Sequence, residues 1–252
     1  MAIQALFLGL AGLVIGSFLS VVAHRVPIGE SIVSPRSRCP HCGTQLADRD
    51  NIPVLSWLLL RGRCRSCKAS IPATYPLVEM AVGVLFVASF LAFEGDWARV
   101  GIACAFVALM ATITLTDLED RIIPNVVLIA GVIIYLAIAA PTDPDGLPER
   151  LIAAAIAFTV LFIVVIAYPK GMGMGDVKLA GVMGLYLGKS VAPALLIGFA
   201  AGAIVGVALI ARHGAAARKQ AVPFGPFLAL GGIVALFAGD EIVDWYMESF
   251  LE

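Results

Sequence analysis

Charged side chains are scarce in this chain. Asp, Glu, Lys and Arg make up 14% of its 252 residues, whereas about a quarter is usual for a soluble domain. With 60% hydrophobic residues and a mean hydropathy of +0.97, the sequence excludes a water-soluble globule and a disordered chain. A formal net charge of −1 offers no excess of positive charge for nucleic acid. We therefore expect an integral membrane protein that has the lipid bilayer as its partner and binds no nucleic acid.

Long apolar runs recur along the chain. A membrane-spanning helix needs about 20 mostly apolar residues, and eight stretches approach that length. The sixth is short and carries Lys178, but it is needed if successive loops are to alternate between the two sides of the membrane. We predict an all-α polytopic membrane protein with about eight transmembrane helices and one small cytoplasmic insert. The predicted spans are residues 2–24, 77–93, 100–116, 122–140, 151–168, 177–188, 190–211 and 221–239.

Lys and Arg determine the predicted orientation. Residues 25–68, after the first span, hold eight of the 17 basic residues, so the positive-inside rule places this segment in the cytoplasm. The N-terminus and the acidic tail, residues 240–252, then lie outside. No basic segment precedes the first span, which favours a retained anchor over a cleaved signal peptide. The other basic residues predicted inside are Arg121, Lys170, Lys178, Arg212, Arg218 and Lys219, and those predicted outside are Arg99, Arg150 and Lys189.

Four of the five cysteines form two C-x-x-C pairs in the single long hydrophilic stretch. Cys39 and Cys42 are separated from Cys64 and Cys67 by 21 residues, a spacing typical of a zinc ribbon. Four thiolates close a tetrahedral site, so we expect Zn²⁺ with a structural role, which would stabilise a segment too small to build a core. Two disulfides or a thioredoxin-like redox pair are the alternatives. A reducing cytoplasm disfavours the disulfides.

A few acidic residues lie at the predicted inner ends of spans, where acids are costly and indicate function. Asp117 ends the third span, and Asp176 begins the sixth after a glycine-rich run. These glycines remove side-chain bulk and let the backbone at Asp176 approach a neighbouring helix. Two adjacent carboxylates can act in hydrolysis, one taking a proton from water and the other protonating the leaving amine. A simple pairing of Asp117 with Arg121, or proton coupling in a transporter, is the alternative.

Several motifs resemble those of one family, the bacterial type IV prepilin leader peptidases, which are bifunctional peptidases and N-methyltransferases. The resemblance spans nearly the whole chain, with departures from the family pattern at Ser20, Asp48-Arg49 and Thr74. The matching segments are Gly16-Ser-Phe-Leu19, His24-Arg-Val-Pro27, Cys39-Pro-His-Cys42, residues 50–64, Tyr75-Pro-Leu-Val-Glu79, Asp117 ahead of Ile123-Pro-Asn125, and Gly173-Met-Gly-Asp176-Val-Lys178.

The resemblance implies an activity and the residues that carry it. Asp117 and Asp176 match the catalytic aspartates of the family. The implied reaction is removal of the short basic leader of prepilins or pseudopilins at the cytoplasmic face of the bacterial inner membrane. Methylation of the new N-terminal residue with S-adenosylmethionine is implied to follow. The residues implied to support the catalytic loop are Gly173, Gly175, Lys178 and Asn125.

We expect three parts along the chain. These are a first transmembrane helix (1–23), a cytoplasmic insert with the four-cysteine zinc site (24–75), and a polytopic membrane aspartyl peptidase core (76–252). No strand followed by G-x-G-x-x-G indicates an ordinary nucleotide-binding fold. Any S-adenosylmethionine site is therefore expected within residues 24–79, with Glu79 as a candidate. A proton-coupled carrier that uses the same aspartates, and a non-catalytic membrane docking protein with a zinc ribbon, are the alternative functions.

Overall fold

The described part of the chain is almost entirely helical. The computed structural model describes residues 1–169, 171–213 and 222–250, which contain no β-strand but two isolated bridges in the insert. The predicted all-α fold class is confirmed. The helices are α1 (Ala2–Arg25), α2 (Leu55–Leu59), α3 (Thr74–Ala92), α4 (Trp97–Glu119), α5 (Asn125–Thr142), α6 (Leu147–Ala167), α7 (Met174–Leu187), α8 (Val191–His213) and α9 (Gly225–Phe250).

Seven segments of the described residues are long and apolar enough to cross a bilayer, so the chain is a multi-pass membrane protein. Six of them coincide with α1, α3, α4, α5, α6 and α9. The remaining segment, Met174–Arg212, contains α7 and all but the last residue of α8. The 14 residues of α7 rise about 21 Å, less than the ~30 Å thickness of the hydrocarbon core. The eight predicted spans therefore correspond to eight helices, of which α7 is too short to count as a span alone.

The chain divides into two compact units, Met1–Val100 and Gly101–Glu252. In the first unit, α1 packs against α3 through glycines one turn apart. A Cβ atom at Gly12 would lie 2.7 Å from the Cα atom of Gly83, and one at Gly16 would lie 2.8 Å from the Cα atom of Glu79. Small residues at this spacing let two membrane helices approach closely. The contact brings the first half of α3 beside α1.

The insert between α1 and α3 is built on two equivalent turns. The amide of Gly43 donates to the carbonyl of Cys39 at 2.9 Å, and the amide of Lys68 donates to the carbonyl of Cys64 at 3.0 Å. The residue after the second cysteine has a positive φ in both turns, +70° at Gly43 and +61° at Lys68. Each C-x-x-C pair therefore forms the same local structure.

Helix α7 is the core of the second unit. Ten of its 14 residues are buried, and it packs against α5, α6, α8 and α9. The ring of Tyr186 lies 5.2 Å from that of Phe106 and 4.9 Å from that of Tyr135, and its hydroxyl donates to the carbonyl of Gly131 at 2.7 Å. A helix that is apolar on all sides has to be buried. The short sixth span is thus enclosed by the others.

The last helix is longer than the sequence predicts. Its predicted span ends at residue 239, but α9 continues through the acidic segment to Phe250. The hydroxyl of Ser190 donates to Asp240 at 2.6 Å, and the ammonium group of Lys189 donates to Asp244 at 2.6 Å. These contacts attach α9 to the turn between α7 and α8. Residues used in the sequence predictions that lie outside the described part are Lys170, Arg218, Lys219, Ala221, Leu251 and Glu252.

Candidate active site

Two aspartates lie together in the second unit, at the ends of two helices. Asp117 is in the last turn of α4, and Asp176 is in the first turn of α7. Both are buried, with 6% and 8% of their surface exposed. They are close enough to interact electrostatically. Because acids inside a membrane protein are costly, a buried pair of them indicates a functional role.

Each aspartate is held by a backbone amide. The amide of Gly225, the first residue of α9, donates to Oδ2 of Asp117 at 2.7 Å. The amide of Gly173 donates to Oδ2 of Asp176 at 3.1 Å, and the Asp176 amide donates back to the Gly173 carbonyl at 3.2 Å. Among the described residues, no ion pair within 4.0 Å joins Asp117 to Arg121. Arg121 acts on Asp117 electrostatically at longer range, without a direct ion pair.

The first turn of α7 packs against the segment that follows α4. A Cβ atom at Gly175 would lie 3.0 Å from the Cβ atom of Ile123, so this approach depends on glycine. One turn into α7, the ammonium group of Lys178 donates to Oδ1 of Asn125 at 2.9 Å. The two motifs on which the sequence interpretation depends are therefore adjacent.

Sequence reasoning missed Gly225, although it contacts Asp117 directly. A Cβ atom at Gly225 would lie 2.9 Å from Oδ2 of Asp117 and 3.1 Å from its Cγ. The local signal is the Gly225-Pro226 pair, since proline is favoured near a helix start. Nothing local indicates that this helix reaches Asp117, because 108 positions separate the two residues.

The four cysteines of the insert form one cluster. The Sγ atoms of Cys39, Cys42, Cys64 and Cys67 all lie within 4.8 Å of one another, and none is in a disulfide. The Sγ atoms of Cys39 and Cys67 are 3.8 Å apart, which is far longer than a disulfide bond of about 2.05 Å. Two thiolates on one tetrahedral zinc, with Zn–S bonds of about 2.3 Å, would be separated by about 3.8 Å. The cluster can therefore hold a metal ion such as zinc.

Hydrogen bonding favours the thiolate form at two of these cysteines. Hydrogen bonding with Thr44 lowers the pKa of the Cys42 thiol to about 6. The backbone amide of Cys67 lowers the pKa of the Cys64 thiol. The backbone amide of Ala69 likewise lowers the pKa of Cys67, but burial and the neighbouring sulfurs outweigh it and raise that pKa to about 11. A bound cation would displace the proton of Cys67, because thiolate is the form that binds metal.

A cavity of about 590 Å³ lies within the first unit. The guanidinium of Arg65 donates to both oxygens of Asp50, with a shortest distance of 2.7 Å between Nη2 and Oδ1. These hydrogen bonds lower the pKa of Asp50. The wall of the cavity therefore includes an ionised carboxylate. Its acidic and aromatic lining residues include Glu30, Asp50, Trp57, Tyr75 and Glu79.

Glu79 lines the cavity and also accepts a hydrogen bond from a strained turn. It is 8% exposed, and its Oε2 accepts a hydrogen bond from the amide of Val54 at 2.6 Å. Val54 has φ +59° and ψ −51°, and the amide of Leu55 donates to the carbonyl of Pro53 across it. This γ-turn conformation is rare, especially for a β-branched residue. Such strain persists only where the surroundings enforce it and is concentrated at functional sites.

Comparison with known families matches segments in both units. Residues 10–93 match the family described as the bacterial Peptidase A24 N-terminal domain. Residues 104–207 match the type IV leader peptidase family. No solved structure matches the chain.

Curated relatives cover almost the whole chain. An Aeromonas hydrophila protein named prepilin leader peptidase/N-methyltransferase is 34% identical over 96% of this chain and 93% of its own length. A Bacillus subtilis protein of the same name is 36% identical over 95% of this chain and 96% of its own length. A third, from Myxococcus xanthus, is 38% identical over 85% of this chain and 66% of its own length. Taken with the geometry above, these similarities show that the chain belongs to the type IV leader peptidase family.

Proposed function

We propose that this chain removes the leader peptide from type IV prepilins or pseudopilins and then methylates the new N-terminal amine. The proposed cleavage of the leader peptide rests on one observation, the buried carboxylate pair of Asp117 and Asp176. The second activity is supported by the cavity of the first unit and by the relatives' name, prepilin leader peptidase/N-methyltransferase. The relatives' name supports neither a proton-coupled carrier nor a docking protein.

The two aspartates would divide the work of hydrolysis. The ionised carboxylate takes a proton from water while the water oxygen attacks the scissile carbonyl carbon, and the protonated carboxyl donates a hydrogen bond to the carbonyl oxygen. The C–N bond then breaks, and the leaving nitrogen takes a proton from the pair. The leader gains a carboxyl group and the pilin a free amine. One water is consumed, and the pair ends with the single proton that it had at the start.

We place this chemistry at the cytoplasmic face of the bacterial inner membrane. The support is the distribution of charge, since eight basic residues fall in residues 25–68. Arg121 and Lys178 lie at the same end of the second unit as the two aspartates, whereas Lys189 follows the opposite end of α7. The positive-inside rule assigns the first end to the cytoplasm.

We further propose that Cys39, Cys42, Cys64 and Cys67 bind one structural Zn²⁺. The support is the all-thiolate donor set, which closes the coordination sphere and leaves no open position for a substrate. Regular helical structure between α1 and α3 is limited to α2 and one short 3₁₀ turn. A metal that joins the two cysteine turns would therefore supply much of the stability of the insert.

The cavity of the first unit fits the methyl donor that the relatives' name implies. S-adenosylmethionine has a sulfonium cation, ribose hydroxyls and an adenine ring. Carboxylates such as those of Glu79, Asp50 and Glu30 suit the cation and the hydroxyls, while the rings of Trp57 and Tyr75 suit adenine. The volume of about 590 Å³ is within the range of small-molecule sites. We propose that these residues bind S-adenosylmethionine, which when bound supplies an electrophilic methyl group.

The three-part organisation is also a proposal. We assign residues 1–23 to an anchor helix, 24–75 to the zinc-binding insert and 76–252 to the peptidase core. It is supported by the cysteine cluster, which lies in the insert, and by the aspartates, which lie on α4 and α7. Glu79 belongs to α3 yet lines the cavity, so the proposed donor site extends beyond the insert.

The peptidase assignment is tested by leader cleavage with purified full-length protein and a prepilin substrate. Asp117→Asn and Asp176→Asn are each expected to reduce cleavage by on the order of 10³-fold or more, because an amide cannot exchange the required proton. Asp120→Asn alters an exposed acid three residues from Asp117 and serves as the matched control. We expect this control to cleave at the wild-type rate. Near-normal cleavage by either of the first two variants would contradict the assignment.

A further inference from the structure

Helix α9 brings a backbone amide to the aspartate pair. The amide of Gly225 donates to Oδ2 of Asp117 at 2.7 Å, and the contact is buried. Gly225 is the first residue of α9, and amides in the first turn of a helix have no partner within it. Asp117 satisfies one of these amides, and the amide in turn fixes one oxygen of the carboxylate.

The contact leaves no space for a side chain at Gly225. A Cβ atom there would lie 2.9 Å from Oδ2 of Asp117 and 3.1 Å from both its Cβ and its Cγ. Real Cβ atoms essentially never lie within 3.0 Å of another heavy atom, so a side chain at Gly225 would displace the carboxylate by a few tenths of an ångström. The absence of a side chain thus matters as much as the amide.

The rest of α9 determines where Gly225 lies. About 22 Å along the helix, Asp240 accepts a hydrogen bond from Ser190 at 2.6 Å. A Cβ atom at Gly239 would lie 2.6 Å from the Cβ atom of Ser190, so the helix packs closely on the turn that follows α7. Helix α9 is therefore attached to the far end of the helix that carries Asp176. Because its first residue contacts Asp117, α9 also fixes the position of the Asp117 carboxylate relative to α7.

We propose that Gly225 is a positioning residue for peptide hydrolysis, which holds the carboxylate of Asp117 in the orientation required beside Asp176. This inference rests on the proposed peptidase function. An amide at a helix N-terminus is a suitable donor for a carboxylate. Asp176 is fixed within its own turn by the amide of Gly173, so each carboxylate has one oxygen held by backbone. Gly225 lies outside residues 104–207, the segment that matches the family.

Gly225→Ala tests the inference, with Gly206→Ala as a matched control. Alanine is the better helix former at both positions, and a Cβ atom at Gly206 would meet nothing within 4 Å. With full-length enzyme and prepilin, we expect kcat for Gly225→Ala to fall about tenfold, because the carboxylate is displaced by a few tenths of an ångström and a displacement of about 1 Å can cost about 100-fold. KM should stay within about threefold. Methylation of a pilin whose leader has already been removed should be unchanged, as should both activities of Gly206→Ala.

The outcomes separate this inference from the proposed function. If Asp117→Asn fails to cleave but Gly225→Ala cleaves at the wild-type rate, the inference is overturned and the peptidase assignment stands. If Asp117→Asn cleaves normally, the peptidase assignment itself fails. A raised KM with unchanged kcat in Gly225→Ala would also overturn the inference, because it indicates lost substrate binding rather than a displaced carboxylate.

Nuclear magnetic resonance tests the hydrogen bond without altering Gly225. Phe224-Gly225 is the only Phe-Gly pair in the sequence, so labelling Phe with carbonyl-¹³C and Gly with ¹⁵N selects a single amide. We expect its proton to resonate downfield and to move upfield in Asp117→Asn, because a neutral amide is the weaker acceptor. Asp120→Asn should leave it in place. A resonance that does not respond to Asp117→Asn would overturn the inference even where Gly225→Ala fails to fold.

Discussion

We predict that the zinc affinity of the proposed four-cysteine site is sensitive to one methyl group in the turn that follows Cys39. Gly43 has φ +70°, and a Cβ atom there would meet nothing within 4 Å. Gly43→Ala therefore adds no clash and only forces an L-residue into the left-handed conformation, at a cost of about 1 kcal/mol. Because the cost applies when the turn forms around the metal, we expect the apparent zinc affinity to fall about fivefold.

The assay is competition for zinc between the purified protein and a chelating dye. The pH is held fixed, because protons compete with zinc for the thiolates. Gly29→Ala is the matched control, since Gly29 has φ +71° and open space around its Cβ position but lies outside the cysteine turns. Its zinc affinity should equal that of wild type. An unchanged affinity in Gly43→Ala, or an equal loss in Gly29→Ala, would refute the reasoning.

Three further changes have distinct expected outcomes. Cys64→Ser should lose about one Zn²⁺ per chain by metal analysis, whereas Cys104→Ser, in α4, should retain it. Arg65→Ala removes the hydrogen bonds to the cavity acid Asp50, so methylation measured by mass spectrometry should fall about tenfold while cleavage is unchanged. Lys178→Met removes the hydrogen bond that joins α7 to α5, and leader cleavage should fall about fivefold.

Features that depend on local sequence were predictable. Apolar length indicated the helices, because a bilayer accepts only backbone whose hydrogen bonds are satisfied internally. The C-x-x-C spacing indicated that four sulfurs would meet, and they lie within 4.8 Å of one another. The glycine before Asp176 indicated a close approach of backbone, which the structure shows against Ile123. Each of these signals is contained within one continuous stretch of the chain, from two residues at Gly175-Asp176 to 29 for the cysteines.

Features that depend on contacts distant in sequence were not predictable. Gly225 contacts Asp117 although 108 positions separate the two residues. No local sequence pattern indicates which helix ends lie next to each other in the fold. The hydrogen bond from Val54 to Glu79 likewise depends on how the insert folds onto α3. The length of α9 was underestimated because acids normally end a membrane span, whereas here Asp240 accepts a hydrogen bond from the turn after α7.

The assignment of hydrolysis to the aspartate pair is tested most directly with purified Asp176→Asn. The variant is given intact prepilin and, separately, a pilin whose leader has already been removed, each with S-adenosylmethionine. Mass spectrometry reads both reactions, since each methyl group adds about 14 Da. We predict that the intact prepilin keeps its leader, while the processed pilin gains about 14 Da as it does with wild type. Removal of the leader by Asp176→Asn at the wild-type rate would contradict the account.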